Sequence, residues 1–112
     1  MPELRTSDGR LVCPRCAVAS THWLRFVGLM GRSSLDADEG LLFPGTGSIH
    51  MFFMRFPIDA VFCDRDLRVV KVVPGLRPWQ TAAARGAKVV IELAAGAAAD
   101  VGIGDRLVLE SA

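Results

Sequence analysis

"IDAVFCDRDLRVVKVVP", residues 58–74, reads as two apolar runs joined by a polar turn, and so as an antiparallel hairpin. Pro57 pushes Phe56 out of the helical region and starts the first run, "IDAVFCD". The second, "RVVKVVP", follows across "RDL". Period-two alternation puts Ile58, Ala60 and Phe62 on one face of the first strand and Asp59, Val61 and Cys63 on the other. Asp59 is therefore set among apolar neighbours, where an unpaired carboxylate would cost several kcal/mol. It must reach an Arg, backbone N–H groups or water. Arg55 and Arg32 are the nearest candidates in motif terms, which places Asp59 beside "FMRFP", on the wall of the protein's most polar concavity. Glu92 in "VVIEL" poses the same problem on another strand.

Working outward, "ELRT" and "RLVC" flank Asp8-Gly9, a strong two-residue hairpin signal. In "ASTHWLRFVGLMG", Ser20 or Thr21 caps a run with helical spacing, and the main helix is predicted from about Ser20 to Gly28. "GLLFPG" and "SIHMFFM" read as extended segments, "AKVVIEL" and "RLVLE" as strands, and "GLRPWQTAAARG" as a surface excursion. "AAGAAADVG" is Ala-rich enough for a short helix that Gly102 and Gly104 would break. The expectation is a mainly β (α+β) fold, a small closed or nearly closed β-barrel of mixed strands with one or two short helices.

Composition excludes several classes. The chain of 112 residues is read as one domain over 1–112, with no repeat, low-complexity tract or linker. A formal charge of +1 removes the electrostatic case for a dedicated nucleic-acid binder, although eleven of the thirteen basic residues are Arg, whose planar fork suits carboxylates and phosphates. No apolar run approaches the roughly 20 residues that span a bilayer, and "MPELRTSDGR" does not resemble a signal peptide. Three Cys is an odd number that fits a reducing compartment, so a cytoplasmic location is expected.

"GLMGR", "DEGLLF", "MFFMRFPIDAVFCD", "VIELAAG" and "IGD", in this order and spacing, resemble the family called domain of unknown function 192, small uncharacterised proteins of bacteria and archaea. The likeness runs from about Ala17 to Leu109. It implies a small barrel of mixed strands with short helices and no established activity. The family's run through Met, Arg or Asn, Pro and Asp corresponds to Met54, Arg55, Pro57 and Asp59. The "CPRC" pair precedes that core and lies outside the pattern.

Two roles compete for the charged residues. A latch would use Asp59 and an Arg to fix how the preceding loop meets the barrel. A pocket would use Arg55 or Arg32 to receive an anionic or carbonyl group, Asp59 to orient it, and Met30, Met51, Met54 and Trp79 as an adaptable apolar wall. The candidate ligand-binding set is thus Arg32, His50, Met54, Arg55, Asp59, Trp79 and Glu92.

The expected function is a small binding or accessory module for such a ligand or a peptide, with an enzyme disfavoured. One alternative is a small hydrolase or lyase using His50 and Asp59, which requires the two to converge in one cleft. The other is a protein-interaction domain marked by a flat apolar patch around Phe52, Phe53 and Trp79. Cys13 and Cys16 have the spacing of half a zinc site that His22, His50 or Cys63 would have to complete; with no second CxxC the thiols are expected reduced and metal-free. No cofactor is expected. The partner is a small ligand or a protein, without nucleic acid or membrane, and the chain a monomer or weak homodimer.

Overall fold

Apolar residues that face both ways along a strand demand cover on both sides, and "IDAVFC" and "VVIELA" are the two segments of this kind. They form β6 (Ile58–Cys63) and β9 (Val89–Ala94), every residue of each buried, and they lie side by side in antiparallel register, with Ala60 opposite Glu92. The computed structural model describes residues 2–19 and 32–111. Around the central pair run β3 (Arg15–Val18), β4 (Glu39–Pro44) and β7 (Val69–Leu76), giving a five-stranded sheet ordered β3-β4-β9-β6-β7. All its neighbours are antiparallel except β3 and β4, which are parallel. The fold is mainly β.

Each face of this sheet is covered differently. On one side β1 (Glu3–Thr6), β2 (Leu11–Cys13) and β10 (Leu107–Glu110) make a three-stranded sheet ordered β10-β1-β2. Leu4, Cys13, Cys16, Val61, Cys63, Ile91 and Leu107 fill the space between. On the other side lies a two-stranded ribbon, β5 (Ser48–His50) with β8 (Thr81–Ala83), over Met51, Met54, Ile58, Ala60, Phe62 and Val90. The alternation expected along β6 holds: Ile58, Ala60 and Phe62 face the ribbon, Val61 and Cys63 the three-stranded sheet.

The hairpin across residues 64–68 is present, with β6 antiparallel to β7 and Leu67 at φ 63° in its turn. So is the hairpin at Asp8-Gly9, where Gly9 takes φ 99°. Three expectations need restating. The ladders do not close into a barrel among the described residues; they form three separate sheets. The three-stranded sheet is instead tied to the five-stranded one by a bond from Cys16 N–H to the Pro2 carbonyl and by an isolated bridge between Arg68 and Arg106, whose bonds run from Leu107 N–H to the Leu67 carbonyl and from Val69 N–H to the Asp105 carbonyl. The short helix expected in "AAGAAADVG" is a run of turns over 95–100, in which Gly96 adopts φ 92°. The surface excursion after β7 contains β8, whose Thr81–Ala83 pairs with Ser48–His50. The helix expected over Ser20–Gly28 lies outside the described residues.

Candidate functional site

Asp59 is 2% exposed, and its carboxylate is fully engaged by backbone. Its Oδ1 accepts from Gly75 N–H at 2.9 Å, and its Oδ2 accepts from Gly96 and Ala98 N–H, each at 3.0 Å. The strand register makes this possible. β7 slips relative to β6 between Ile58↔Leu76 and Ala60↔Val73, so Pro74 and Gly75 together stand opposite Asp59. Pro74 has no N–H to give, and Gly75, at φ 62°, turns its own toward the carboxylate instead of the ladder. Gly96 does the same for the turn after β9.

The cluster expected around Asp59 therefore does not assemble. Arg55 is exposed and makes no ion pair with Asp59, and the guanidinium of Arg32 bonds Glu39 at 3.2 Å. The amides that hold Asp59 come from residues 75–98, far along the chain from "FMRFP". Met51 and Met54 are buried core residues and not a pocket wall. Met30 lies outside the described residues.

Glu92 is the second buried carboxyl, on the ribbon side of the sheet beside Ala60 and Leu41. Burial pushes its pKa up to about 8, so it is held largely protonated at neutral pH. It lies beneath the ribbon, away from the surface.

His50 is exposed on β5, its Nδ1 accepting from Phe52 N–H at 3.4 Å. No hydrogen bond joins it to Asp59, whose oxygens are both committed to amides. Cys13 and Cys16 are buried free thiols, the Cys13 S–H facing the Arg15 and Asp38 carbonyls at 3.4 Å; hydrogen bonding between the two thiols lowers the pKa of Cys13 and, with burial, raises that of Cys16. Burial also pushes Cys63 up to about 12. Among the described residues no group of three or more His, Cys, Asp and Glu gathers to hold a metal, and no helix is long and apolar enough to cross a membrane.

What the fold does present is a ring cluster at one end of the ribbon. The loops after β5 and before β8 are locked together by bonds from Met51 N–H to the Gln80 carbonyl at 2.7 Å and from Trp79 N–H to the Met51 carbonyl at 2.8 Å. Phe53 and Trp79 are held there at φ 66° and 69°, a conformation that large side chains rarely adopt. They are 65% and 60% exposed. Their rings meet edge to face at 5.0 Å, Trp79 lies 5.9 Å from Phe52, and Phe52 stacks on His50 at 4.8 Å.

Beside these rings an open concavity of about 540 Å³ is lined by Ser48, Ile49 and His50 of β5, Thr81 and Ala83 of β8, and Lys71 of β7. The Lys71 ammonium is anchored on the Ala83 carbonyl at 2.8 Å. The segments that build this face carry charge of one sign. Residues 40–58 and 67–91 contain six basic side chains, among them Arg55, Lys71 and Arg77, and no acidic one. Arg55, Lys71 and Arg77 make no ion pair among the described residues; the pairs present use Arg5, Arg10, Arg15 and Arg32. Sequence reading had Phe52, Phe53, Trp79 and His50 but missed Lys71, Ser48 and Thr81. The acid-free stretches were the sequence signal for Lys71; nothing local singles out Ser48 or Thr81.

The family model DUF192, described as Uncharacterized ACR, matches residues 4–109. A UPF0127 protein of Thermococcus sibiricus is 33% identical over 98 residues, covering 83% of this chain; the match spans 63% of the relative's own length. A crystal structure of a protein of unknown function from Novosphingobium aromaticivorans is similar with a TM-score of 0.81 and 27% identity, over 96% of this chain and 84% of that one. A proposed transcription regulator from Sinorhizobium meliloti is similar with a TM-score of 0.78 and 26% identity, over 96% of this chain and 91% of that one.

Proposed function

From the premise that the chain belongs to the DUF192 family, we propose that it is a binding module, not a catalyst, and that its binding face is the concavity at the β5–β8 ribbon with its rim of Phe52, Phe53 and Trp79. The observation that carries this reading is the pair of exposed aromatic residues held at positive φ. Backbone strain of roughly 1–3 kcal/mol per residue persists only where the surroundings enforce it, and such positions gather at ligand-contacting sites. Exposed aromatics grouped in one patch are a usual mark of a recognition surface.

Lys71, His50, Ser48 and Thr81 supply donors to an anionic or carbonyl-bearing group, and the rings supply apolar area beside them. Asp59 has the architectural role: it fastens the bulge at Gly75 and the turn at Gly96–Ala98 to the central sheet. A hydrolase or lyase built on His50 and Asp59 has no support in this geometry, because the candidate acid is spent on three amides. In the same reading the module works in the cytoplasm, where the unpaired thiols of Cys13, Cys16 and Cys63 stay reduced.

The test is a thermal-shift screen of carboxylates, carbonyl compounds and short peptides against the wild type and the double variant Phe53→Ser/Lys71→Gln. A hit that raises the Tm of the wild type but not of the variant is expected. Turnover of an ester or amide substrate that disappears in His50→Ala would overturn the reading.

A further inference from the structure

Resting on that binding face, we infer that its partner is an acidic peptide segment carrying a large apolar side chain next to a carboxylate. The apolar side chain packs on Phe53 and Trp79, while the carboxylate enters the concavity toward Lys71 and the hydroxyls of Ser48 and Thr81. Three observations converge. The rim offers Phe53 and Trp79, more than half exposed, at a fixed edge-to-face angle, which is an anchor site for one bulky apolar group. The concavity begins at His50, whose ring stacks on Phe52 of the rim, so apolar and polar halves form one continuous surface. The flanking segments carry Arg55, Lys71 and Arg77 and no acid, so the field over the face selects a negative partner and repels a basic one.

The rings argue against nucleic acid as the favoured occupant. A stacking platform needs free, successive ring faces along a basic track. Here Phe52, Phe53 and Trp79 are packed against one another at 5.0 and 5.9 Å, and the cations flank a single patch. A lipid surface fits less well too, since a flat bilayer cannot enter the concavity that holds Lys71.

The probe is a synthetic peptide, acetyl-Glu-Glu-Leu-Trp-Glu-Glu-amide, titrated into isotope-labelled protein. Expected are amide shifts confined to residues 48–55 and 71–83, and affinity that falls about ten-fold between about 50 and 300 mM salt. Loss of binding is expected in Lys71→Glu and in Phe53→Ser/Trp79→Ser, with retention in Arg106→Gln, which lies outside both acid-free segments. Equal binding of the same peptide with Lys in place of Glu, or of Glu-rich peptide without Leu and Trp, would overturn the inference. So would tighter binding of oligothymidylate or of phosphatidylglycerol vesicles at the same residues, although the binding face itself would then stand. If none of these probes perturbs residues 48–55 or 71–83, the inference fails, and the wider reading then rests on the thermal-shift screen alone.

Discussion

The two faces of the central sheet each bury one carboxyl, and they treat it in opposite ways. Toward the three-stranded sheet, Asp59 meets three backbone donors supplied by a bulge and a turn, so burial of the group is matched by charge-assisted hydrogen bonds. Toward the ribbon, Glu92 stands between Leu41 and Ala60 in the register, and burial is accommodated by keeping the proton. The first face is closed by a sheet and by bonds that cross between layers. The second is closed by a two-stranded ribbon whose end loops carry exposed aromatics. Architecture concentrates on one side and the proposed recognition surface on the other.

Asp59 gives the largest expected effect. Asp59→Ala strands the N–H groups of Gly75, Gly96 and Ala98 in or near the core, and at about 1–3 kcal/mol for each unsatisfied donor the loss should reach roughly 4 kcal/mol. Asp59→Asn keeps one acceptor oxygen but turns an NH2 group toward amide donors, so about 1–3 kcal/mol is expected. Urea unfolding of both variants checks the order. Equal stability of Asp59→Ala and wild type would remove the contrast between the faces.

Glu92 should produce a pH dependence instead of a fixed loss. Its folded pKa of about 8 lies above the ordinary glutamate value of about 4.3. Between those values the unfolded chain holds fewer protons than the native one, so stability falls as pH rises through the window and levels off above about 8. Between about pH 5 and 7 the loss is on the order of 3 kcal/mol. Glu92→Gln should remove this slope, leaving the variant more stable than wild type near pH 8. Unfolding curves at several pH values between about 5 and 9 measure the difference.

How much of this was legible in the sequence depends on reach. The β6–β7 and Asp8-Gly9 hairpins are local, and the face assignment along β6 follows from the pleat; all three were readable. The layered arrangement was not, because the pairing of β1 with β10 and of β3 with β4 joins segments that no local signal connects. Ala82 and Ala83 hid β8, since Ala has low strand preference and needs the β5 partner to be held extended. The same bias suggested a helix at residues 95–100, where the carboxylate of Asp59 instead captures the amides of Gly96 and Ala98 and fixes a turn. That Asp59 would be buried and bonded was legible; that its partners are Gly75, Gly96 and Ala98 was not, because each is brought in by tertiary register.

The ribbon face can be probed for tightness before it is probed for binding. A Cβ at Gly47 would stand 2.6 Å from the Ala87 carbonyl oxygen, a backbone atom that cannot swing aside. Gly47→Ala should therefore push the start of β5 off the loop before β9, at about 2 kcal/mol. Amide exchange should show faster opening over residues 47–51 while residues 58–63 keep their protection. Exchange that accelerates equally in both segments would mean that the ribbon and the central sheet open as one unit.

The smallest stability effect belongs to the residues expected to matter most for binding. Phe53 and Trp79 are more than half exposed, and each sits in a backbone conformation that disfavours its side chain. Phe53→Gly removes edge-to-face contact with Trp79, worth about 0.5–1.5 kcal/mol, but relieves strain at φ 66° by a similar amount. The net change should lie within about 0.5 kcal/mol of zero, the range of ordinary surface substitutions. Asp59→Ala and Phe53→Gly thus make opposite predictions: the first lowers the unfolding midpoint with the ring cluster's composition intact, the second leaves the midpoint unchanged and removes binding of the acidic peptide. A Phe53→Gly protein unfolding at clearly lower urea would show that the rings hold the ribbon in place, and the contrast between an architectural face and a recognition face would then be lost.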